Sequence, residues 1–546
     1  MYELFRDRVG DDHPGMLFED QSWTYAELVQ SAVERAALAS ALRRDGPFHI
    51  GLLLDNIPEF PMWLGAAALG RSTVVGINPT RRGAELARDI RHTDCQLIVT
   101  ESRHRPLLDG LDLGIDEDRI LVVDEPRYDD LLAPHRGVGL PDEPARPGDL
   151  YVLLFTSGTS GAPKACLCSQ GRLARIGKVV VDQWGLGPDD VVYEAMPMFH
   201  SNALMAGWAP AIAGGVTVAL RRRFSASGFL PDVRKFDVTF FNYVGKPLSY
   251  ILATPEQPDD AENPLRLVFG NEGAERDLAR FRERFDCVVI DNYGSTEGGA
   301  MVQRQTDQPP GALGKAPEGT VVLDPATGRE CPPATFDAEG HLLNPDEAIG
   351  ELVNKLGATG FEGYWNNAEA NAARVRDGYY WTGDLAYRDE AGWFYFAGRD
   401  FEWIRVDGEN FATAPIERIV SRHPDVVLAA VYAVPAVDVG DEVMVALQLR
   451  PGATFDADAF LRFLEGEADL GTKWAPRYVR ITQSLPVTET SKVLKRVLRR
   501  ERWETTDPVW WRSDKQGPYE RMSAEDVQAL RAEFERRGRV EVLEAV

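Results

Sequence analysis

A chain of 546 residues is too long for one compact core, and at about 150 residues per domain three or four units are expected. With 85 acidic against 60 basic side chains the net charge is −25, which repels phosphate backbones and anionic bilayers and argues against a nucleic-acid-binding protein while leaving room for a local cationic pocket. Five cysteines without a CxxC pair give no disulfide framework and suit a reducing cytoplasm; Cys166 and Cys168 read as alternate strand positions, not a metal site.

In chain order, Met1 to Arg6 lacks the basic-then-apolar pattern of a signal peptide. The apolar stretch 60–77 is broken by Arg71 and by glycines, and reads as a buried helix and strand, with no integral membrane span expected. Buried strands are predicted at 50–54, 73–77, 96–99 and 119–123, with helices at 59–69 and 82–92 between them. This alternation predicts parallel α/β layers. A Pro- and acid-rich stretch, 141–149, precedes a strand at 151–155. A second α/β series places strands near 191 and at 216–220, 238–241, 265–269 and 288–291. Over 311–396 glycine, proline and short β runs indicate a β-rich subdomain; a linker near 399–407 leads to a compact α/β unit ending near 500. The tail carries Trp510-Trp511 and a helix capped by Ser523 with Asp526 three residues on. It reads as a clasp over the small domain or a dimer contact. No internal repeat is present.

The sharpest local signal runs from Leu154 to Lys164: a strand enters a loop containing Thr156, Ser157, Gly158, Thr159, Ser160 and Gly161 and closes on Lys164. Small residues let backbone N–H groups approach an anion, hydroxyls add donors, and the lysine adds a mobile charge, so the loop is predicted to bind phosphate. It is not a Walker A loop, because Gly161 and Lys164 are separated and Ala165 follows the lysine.

With the blocks Met198-Phe-His200, Gly270-Asn-Glu-Gly-Ala274, Asn292-Tyr-Gly-Ser-Thr-Glu297, Tyr380-Trp-Thr-Gly-Asp384, Gly398-Arg399 and Leu485 to Lys495 following in order, the chain resembles the adenylate-forming (ANL) superfamily of acyl-CoA synthetases, luciferases and adenylation domains over roughly 20–500. The resemblance implies an α/β multidomain fold. It comprises a large N-terminal domain of two α/β subdomains plus a β-rich subdomain (1–398), a small mobile α+β C-terminal domain (399–505) and a tail (506–546). It implies ATP, Mg²⁺ and coenzyme A as reagents. Lys492 is then the catalytic lysine, Thr296 a phosphate ligand, and Glu297 the Mg²⁺ ligand with Thr159 beside it. Asn271, Glu272, Gly273, Asn292, Tyr293 and Gly294 would line the adenine site, with Tyr293 stacked on the base, while Asp384 and Arg399 hold the ribose. His200 would gate an acyl pocket lined by Tyr243, Val244, Gly245, Ser295 and Gly298, and Gly408 and Glu409 would border the CoA channel. As bare strings, a lone histidine is more often a satisfied core residue, a TGD turn more often a surface turn, and the string at 270–274 is equally readable as a plain loop.

The segments 53–60 and 406–413 are similar to the fatty-acid-transport and very-long-chain branch, and 241–248 and 405–410 to actinobacterial FadD-type synthetases, some of which act on steroid side-chain acids. The expected reaction joins a large apolar acid, long-chain or polycyclic, to CoA with release of AMP and pyrophosphate. Ala165, Gln170, Ser491 and Phe401 depart from the common family pattern. A methyl at 165 that crowds a triphosphate would leave mainly the thioester half-reaction on a preformed acyl-adenylate, with a separate adenylating enzyme as partner. Two rival activities fit the same blocks: loading of a carrier-protein thiol, and service as a degenerate nucleotide or lipid sensor. A homodimer is compatible with the family.

Overall fold

The computed structural model describes residues 1–156, 163–271, 273, 275–305, 307–337, 342–358, 360–399, 403–406, 409–437, 440–467, 470, 473–487, 493–515 and 517–544. Packing divides the chain into two units, Met1–Met301 with Gly357–Gly378, and Val302–Leu356 with Tyr379–Val546.

The first unit holds two wound sheets. In the first, Ile120–Val122, Cys95–Thr100, His49–Leu53, Thr73–Gly76 and Leu150–Thr156 lie side by side in parallel, and Lys164–Ser169 closes one edge antiparallel to Leu150–Thr156. His49–Leu53 and Thr73–Gly76 are buried at every position, as expected of parallel strands covered on both faces. Among the covering helices is Tyr25–Leu42, opened by a capping box between Thr24 and Glu27, and it packs along Glu59–Gly70. The apolar 60–77 stretch is thus a buried helix and strand, and no helix among the described residues is long and apolar enough to cross a membrane.

The second sheet runs Val288–Asp291, Leu267–Asn271, Phe240–Val244, Val191–Glu194, Thr217–Leu220 and Pro14–Phe18 in parallel, with Gln21–Thr24 antiparallel at the edge. Every strand predicted in these two sheets forms within two or three residues of its expected bounds. The hairpin at 14–24 lies outside those expectations: it joins a strand some two hundred residues later in the chain, and no local pattern encodes that partner.

Two contacts lock the sheets together beside the sequence block at 198–200. Asn56, buried in the loop after His49–Leu53, donates from Nδ2 to the Met196 carbonyl (2.9 Å) and accepts the Met198 N–H at Oδ1 (2.9 Å). Gly76 lies flat against Phe199; a Cβ there would stand 2.8 Å from the Phe199 carbonyl oxygen and 2.9 Å from its Cα.

In the second unit, Thr320–Leu323, Gly350–Asn354, Tyr379–Arg388 and Phe394–Arg399 form an antiparallel array, the β-rich part that the sequence suggested. A second sheet of Val426–Pro435, Asp441–Leu449, Tyr478–Thr482, Val509–Trp511 and Glu520–Arg521 packs against the helices Thr413–Val420 and Ala457–Gly466. The tail enters this sheet directly: Trp510 and Trp511 pair with Val479 and Tyr478, and Tyr519 lies in the same core. The Ser523–Asp526 capping box opens the helix Ala524–Arg536 as expected.

Asn56→Ala leaves a buried carbonyl and a buried N–H without partners, and is expected to cost about 1–3 kcal/mol. Gly76→Ala forces backbone against backbone, at about 1–3 kcal/mol. Both should lower the denaturation midpoint and also impair use of the acid more than binding of nucleotide, measured as separate KM values.

Candidate active site

Thr156 and Lys164 are cross-strand partners, so the loop between them closes a hairpin whose mouth they flank. Ser157, Gly158, Thr159, Ser160 and Gly161 lie outside the described residues, as do Glu272, Gly408, Ser491, Lys492 and Phe401. The Lys164 ammonium stands 5.5 Å from the centroid of the Tyr364 ring. Tyr364 is 2% exposed, and its hydroxyl donates to Glu297 Oε1 (2.8 Å) while accepting from Arg374 Nε (3.1 Å). Burial and then the charge of Glu297 push the Tyr364 phenol up, so it stays a proton donor to the carboxylate. Burial, followed by the charge of Arg374, holds the Lys164 ammonium below its ordinary value, with Glu297 acting in the opposite sense.

Tyr364 and Arg374 are absent from the sequence-predicted set, since nothing in their spacing ties them to residue 297. The structure shows how they arrive. Tyr364 donates its N–H to Asn371 Oδ1 (2.7 Å) and accepts at its carbonyl from Asn371 Nδ2 (3.1 Å), which docks it on the helix Ala368–Arg374 that ends in Arg374. An isolated bridge to Cys166 then sets it beside the Lys164 strand.

The turn 295–298 is pinned from below by Arg172, buried on the helix Gln170–Trp184, whose Nη2 donates to the Thr296 carbonyl (2.6 Å). Thr296 Oγ1 shares a hydrogen bond with Ser201 Oγ (2.7 Å), which links the turn to the segment after His200. Ser295 accepts the Gly298 N–H (3.0 Å) to close the turn, and Gly298 takes φ +68°, with its Cα facing the Arg172 guanidinium. Close by, Asn271 Nδ2 donates to the Asn292 carbonyl (2.5 Å), and the Gly273 N–H donates to Asp291 Oδ2 (2.8 Å). Tyr293 and Gly294 form a short strand between Asn292 and the 295–298 turn.

Asp291 Oδ2 also accepts the Tyr243 hydroxyl (2.5 Å). Tyr243 is expected from the sequence to line the acyl pocket; its ring is instead buried among Phe241, Leu248 and Leu278, on the face of its strand opposite Val244. Val244 lies on the other face, and Gly245 accepts φ +75° while donating to the Asn271 carbonyl (3.0 Å). His200 is half-buried in the turn after Met198, with the Asn202 N–H directed at its Nδ1 (3.5 Å).

Two departures from the family pattern are structural. Ala165 is fully buried, with its methyl in the apolar cluster of Leu53, Val75 and Leu153. Gln170 Nε2 donates to the carbonyls of Ala67 (3.2 Å) and Ala68 (3.4 Å) within the core. Cys166 and Cys168 are buried strand residues, and all five cysteines are free. A second polar group, Asp55 with Glu101 and His104, is an ion-pair network. Burial opposes ionisation of Asp55, yet the His104 hydrogen bond and the charges of Arg223 and Arg103 bring it down to about 2.

In the second unit, Asp384 is buried and is the cross-strand partner of Arg399. Its N–H donates to Thr382 Oγ1 (3.0 Å), and the Gly383 N–H donates to Glu351 Oε1 (2.7 Å), so the turn is held at both residues. Glu409 opens the strand Glu409–Ala412.

The AMP-binding enzyme family model matches residues 6–365, and that of the AMP-binding enzyme C-terminal domain matches 415–492. A steroid-22-oyl-CoA synthetase of Rhodococcus jostii is 52% identical over 536 residues, covering 98% of this chain and 97% of its own. A medium/long-chain-fatty-acid–CoA ligase, FadD17, of Mycobacterium tuberculosis is 49% identical over 503 residues, covering 91% and 96%. In fold, the chain is similar to ATP-bound MatB from Rhodopseudomonas palustris, with a TM-score of 0.77 at 24% identity, over 91% of this chain and 98% of that one. It is likewise similar to the anthranilate CoA ligase AuaEII in complex with anthranoyl-AMP, with a TM-score of 0.78 at 20% identity, over 91% and 96%. The chain therefore belongs to the AMP-binding enzyme family and, within it, to the adenylate-forming acid–thiol ligases, the acyl-CoA synthetases.

Proposed function

We propose that this acyl-CoA ligase acts on a large apolar carboxylic acid, either a steroid-like polycyclic acid or a medium- to long-chain fatty acid. The observation that carries the site assignment is the Lys164–Tyr364–Glu297 cluster at the mouth of the phosphate-loop hairpin. The substrate class rests on the acids named for relatives at about half identity over nearly the whole chain.

Enzymes of this kind use ATP and CoA. A carboxylate is a poor acyl donor because it would have to expel oxide. Its oxygen attacks the ATP α-phosphorus, the bond to the β-phosphate oxygen breaks, and pyrophosphate leaves with the electron pair. The CoA thiol then adds to the carbonyl of the mixed anhydride, loses its proton, and AMP departs. The first step brings two anions together, so cations and oriented donors govern its rate. In this reading Lys164 and the hydroxyls of the loop from Thr156 hold the outer phosphates, and Thr296 holds a further phosphate oxygen. Lys492 bridges the carboxylate and the α-phosphate. Asn271, Gly273 and Asn292 border the adenine, Tyr293 stacks on it, and Asp384 with Arg399 takes the ribose hydroxyls. His200 gates the acid, and Gly408 and Glu409 border the pantetheine path once the 399–505 domain has turned about its hinge.

The donor set at Glu297 fits Mg²⁺: a buried carboxylate with one oxygen already oriented by Tyr364 and the Thr296 hydroxyl on the adjacent residue, all hard oxygen ligands. The ion would neutralise charge on the phosphates there. Burial of the Ala165 methyl in the core supports the two-step reaction. Five free cysteines fit a cytoplasmic setting.

With Mg·ATP and CoA, the purified chain should convert free acids of this class to acyl-CoA, followed by mass spectrometry. Conversion of synthetic acyl-adenylates alone would overturn the two-step reading. Tyr364→Phe removes one hydrogen bond to a charged group, worth about 1.5–3 kcal/mol, and is expected to slow ATP–pyrophosphate exchange roughly 10- to 100-fold while sparing thioester formation from preformed adenylate. Equal rates in both half-reactions would remove Tyr364 from the site.

A further inference from the structure

The winding of the second sheet reverses at Val191–Glu194: the chain next adds Thr217–Leu220 on one side, then Phe240–Val244 on the other. Open α/β sheets take ligands outside the carboxyl ends of strands at such a reversal. Here the two strands end in a buried polar chain. Glu194, the last residue of its strand, is 0% exposed, and so is Asn242 opposite. Asn242 Nδ2 donates to Glu194 Oε1 (3.4 Å) and to Asn202 Oδ1 (3.0 Å), and Asn202 Nδ2 donates to the Tyr243 carbonyl (2.9 Å). Glu194 Oε2 and Asn242 Oδ1 are buried with no hydrogen-bond partner among the described residues. Burial holds Glu194 as a neutral acid, well above the usual carboxylate range.

The cover over this chain is the segment Ala203–Trp208, a π-helical turn that follows His200 and Asn202. Such turns are rare and cluster at functional sites. Within it Gly207 leaves the space that the carboxyl fills: a Cβ on Gly207 would stand 1.8 Å from Glu194 Oε2 and 3.3 Å from Asn242 Oδ1. A buried acid lacking a full set of partners is costly to keep, and a packed apolar residue would serve stability better.

We propose that Glu194 and Gly207 are specificity-determining residues that set the inner boundary of the acyl pocket. The Glu194 carboxyl occupies the space beneath the π-helical turn and, through Asn242 and Asn202, fixes the segment that carries His200. This rests on the reading of His200 as bordering the acyl pocket. Gly207→Ala drives the carboxyl out of its niche toward the pocket and shortens it; Glu194→Ala empties the niche and deepens it. The two changes therefore shift selectivity in opposite directions. When they are combined, the methyl introduced by Gly207→Ala refills the niche that Glu194→Ala has emptied.

The test compares kcat/KM for saturated acids from octanoic to stearic acid and for cholanic acid, together with KM for ATP and the thermal midpoint. Gly207→Ala should favour the short acids by about tenfold or more relative to wild type, and Glu194→Ala the long or polycyclic ones, with KM for ATP unchanged. Glu194→Gln, which fills the same space, should keep the wild-type profile, and the double variant should return toward it. Should Gly207→Ala alone not fold, the opposed behaviour of Glu194→Ala and the double variant carries the same test. Uniform loss for every acid, or unchanged profiles in folded variants, would overturn the proposal and leave the acyl-CoA reading standing. A wild-type chain that converts none of the acids, and none of their adenylates, would overturn both.

Discussion

The site depends first on how two separately wound sheets are joined. Asn56 commits its whole amide to the Met196 carbonyl and the Met198 N–H, while Gly76 admits the Phe199 backbone to a distance that no side chain could share. A fork of this kind fixes position and direction together, because both bonds lie in the plane of one amide. The turn that ends in His200 is thereby referenced to the first sheet while its strand belongs to the second. Thr296, hydrogen-bonded to Ser201, is referenced through that turn in the same way. Loosening the seam would move several site residues at once without touching any of them.

A second constraint is electrostatic. In a chain of net charge −25, cations near a nucleotide have to be concentrated locally. Lys164 and Arg374 both meet one phenol, and that phenol bonds to the buried carboxylate of Glu297. Tyr364 presents a neutral donor to the acid oxygen, so this hydrogen bond orients the carboxylate without cancelling its charge. Arg172 serves a different purpose, giving two of its N–H groups to the Leu167 and Thr296 carbonyls to fix the backbone.

Much of this is legible in the sequence where the signal is local. Buried parallel strands announce themselves as continuous apolar runs. Period-two alternation in 240–244 also tells Tyr243 from Val244, since Phe241 and Tyr243 face one core while Phe240 and Val244 face another. The same alternation turns Ala165, on the strand Lys164–Ser169, away from Lys164 and into the apolar core, which a comparison of motif positions does not reveal. Tyr364, Arg374 and Arg172 are not legible, because their roles arise from contacts between segments far apart in the chain, and a tyrosine in a polar stretch carries no mark of the carboxylate it will meet.

The C-terminal domain completes its sheet and core with residues from the tail. The family match there stops at 492, yet the sheet gains Val509–Trp511 and Glu520–Arg521 from beyond it. Trp503 stacks on Tyr478 with centroids 4.9 Å apart, Trp510 meets Phe455 at 5.5 Å, and Tyr519 enters the core with its hydroxyl on the Pro476 carbonyl. These contacts give the C-terminal sheet a hydrophobic core of its own. From sequence the tail reads equally as a clasp on the small domain or as a contact with a second copy. Its strand and aromatic residues are committed to the small domain's own sheet and core, which adds buried area to a small unit.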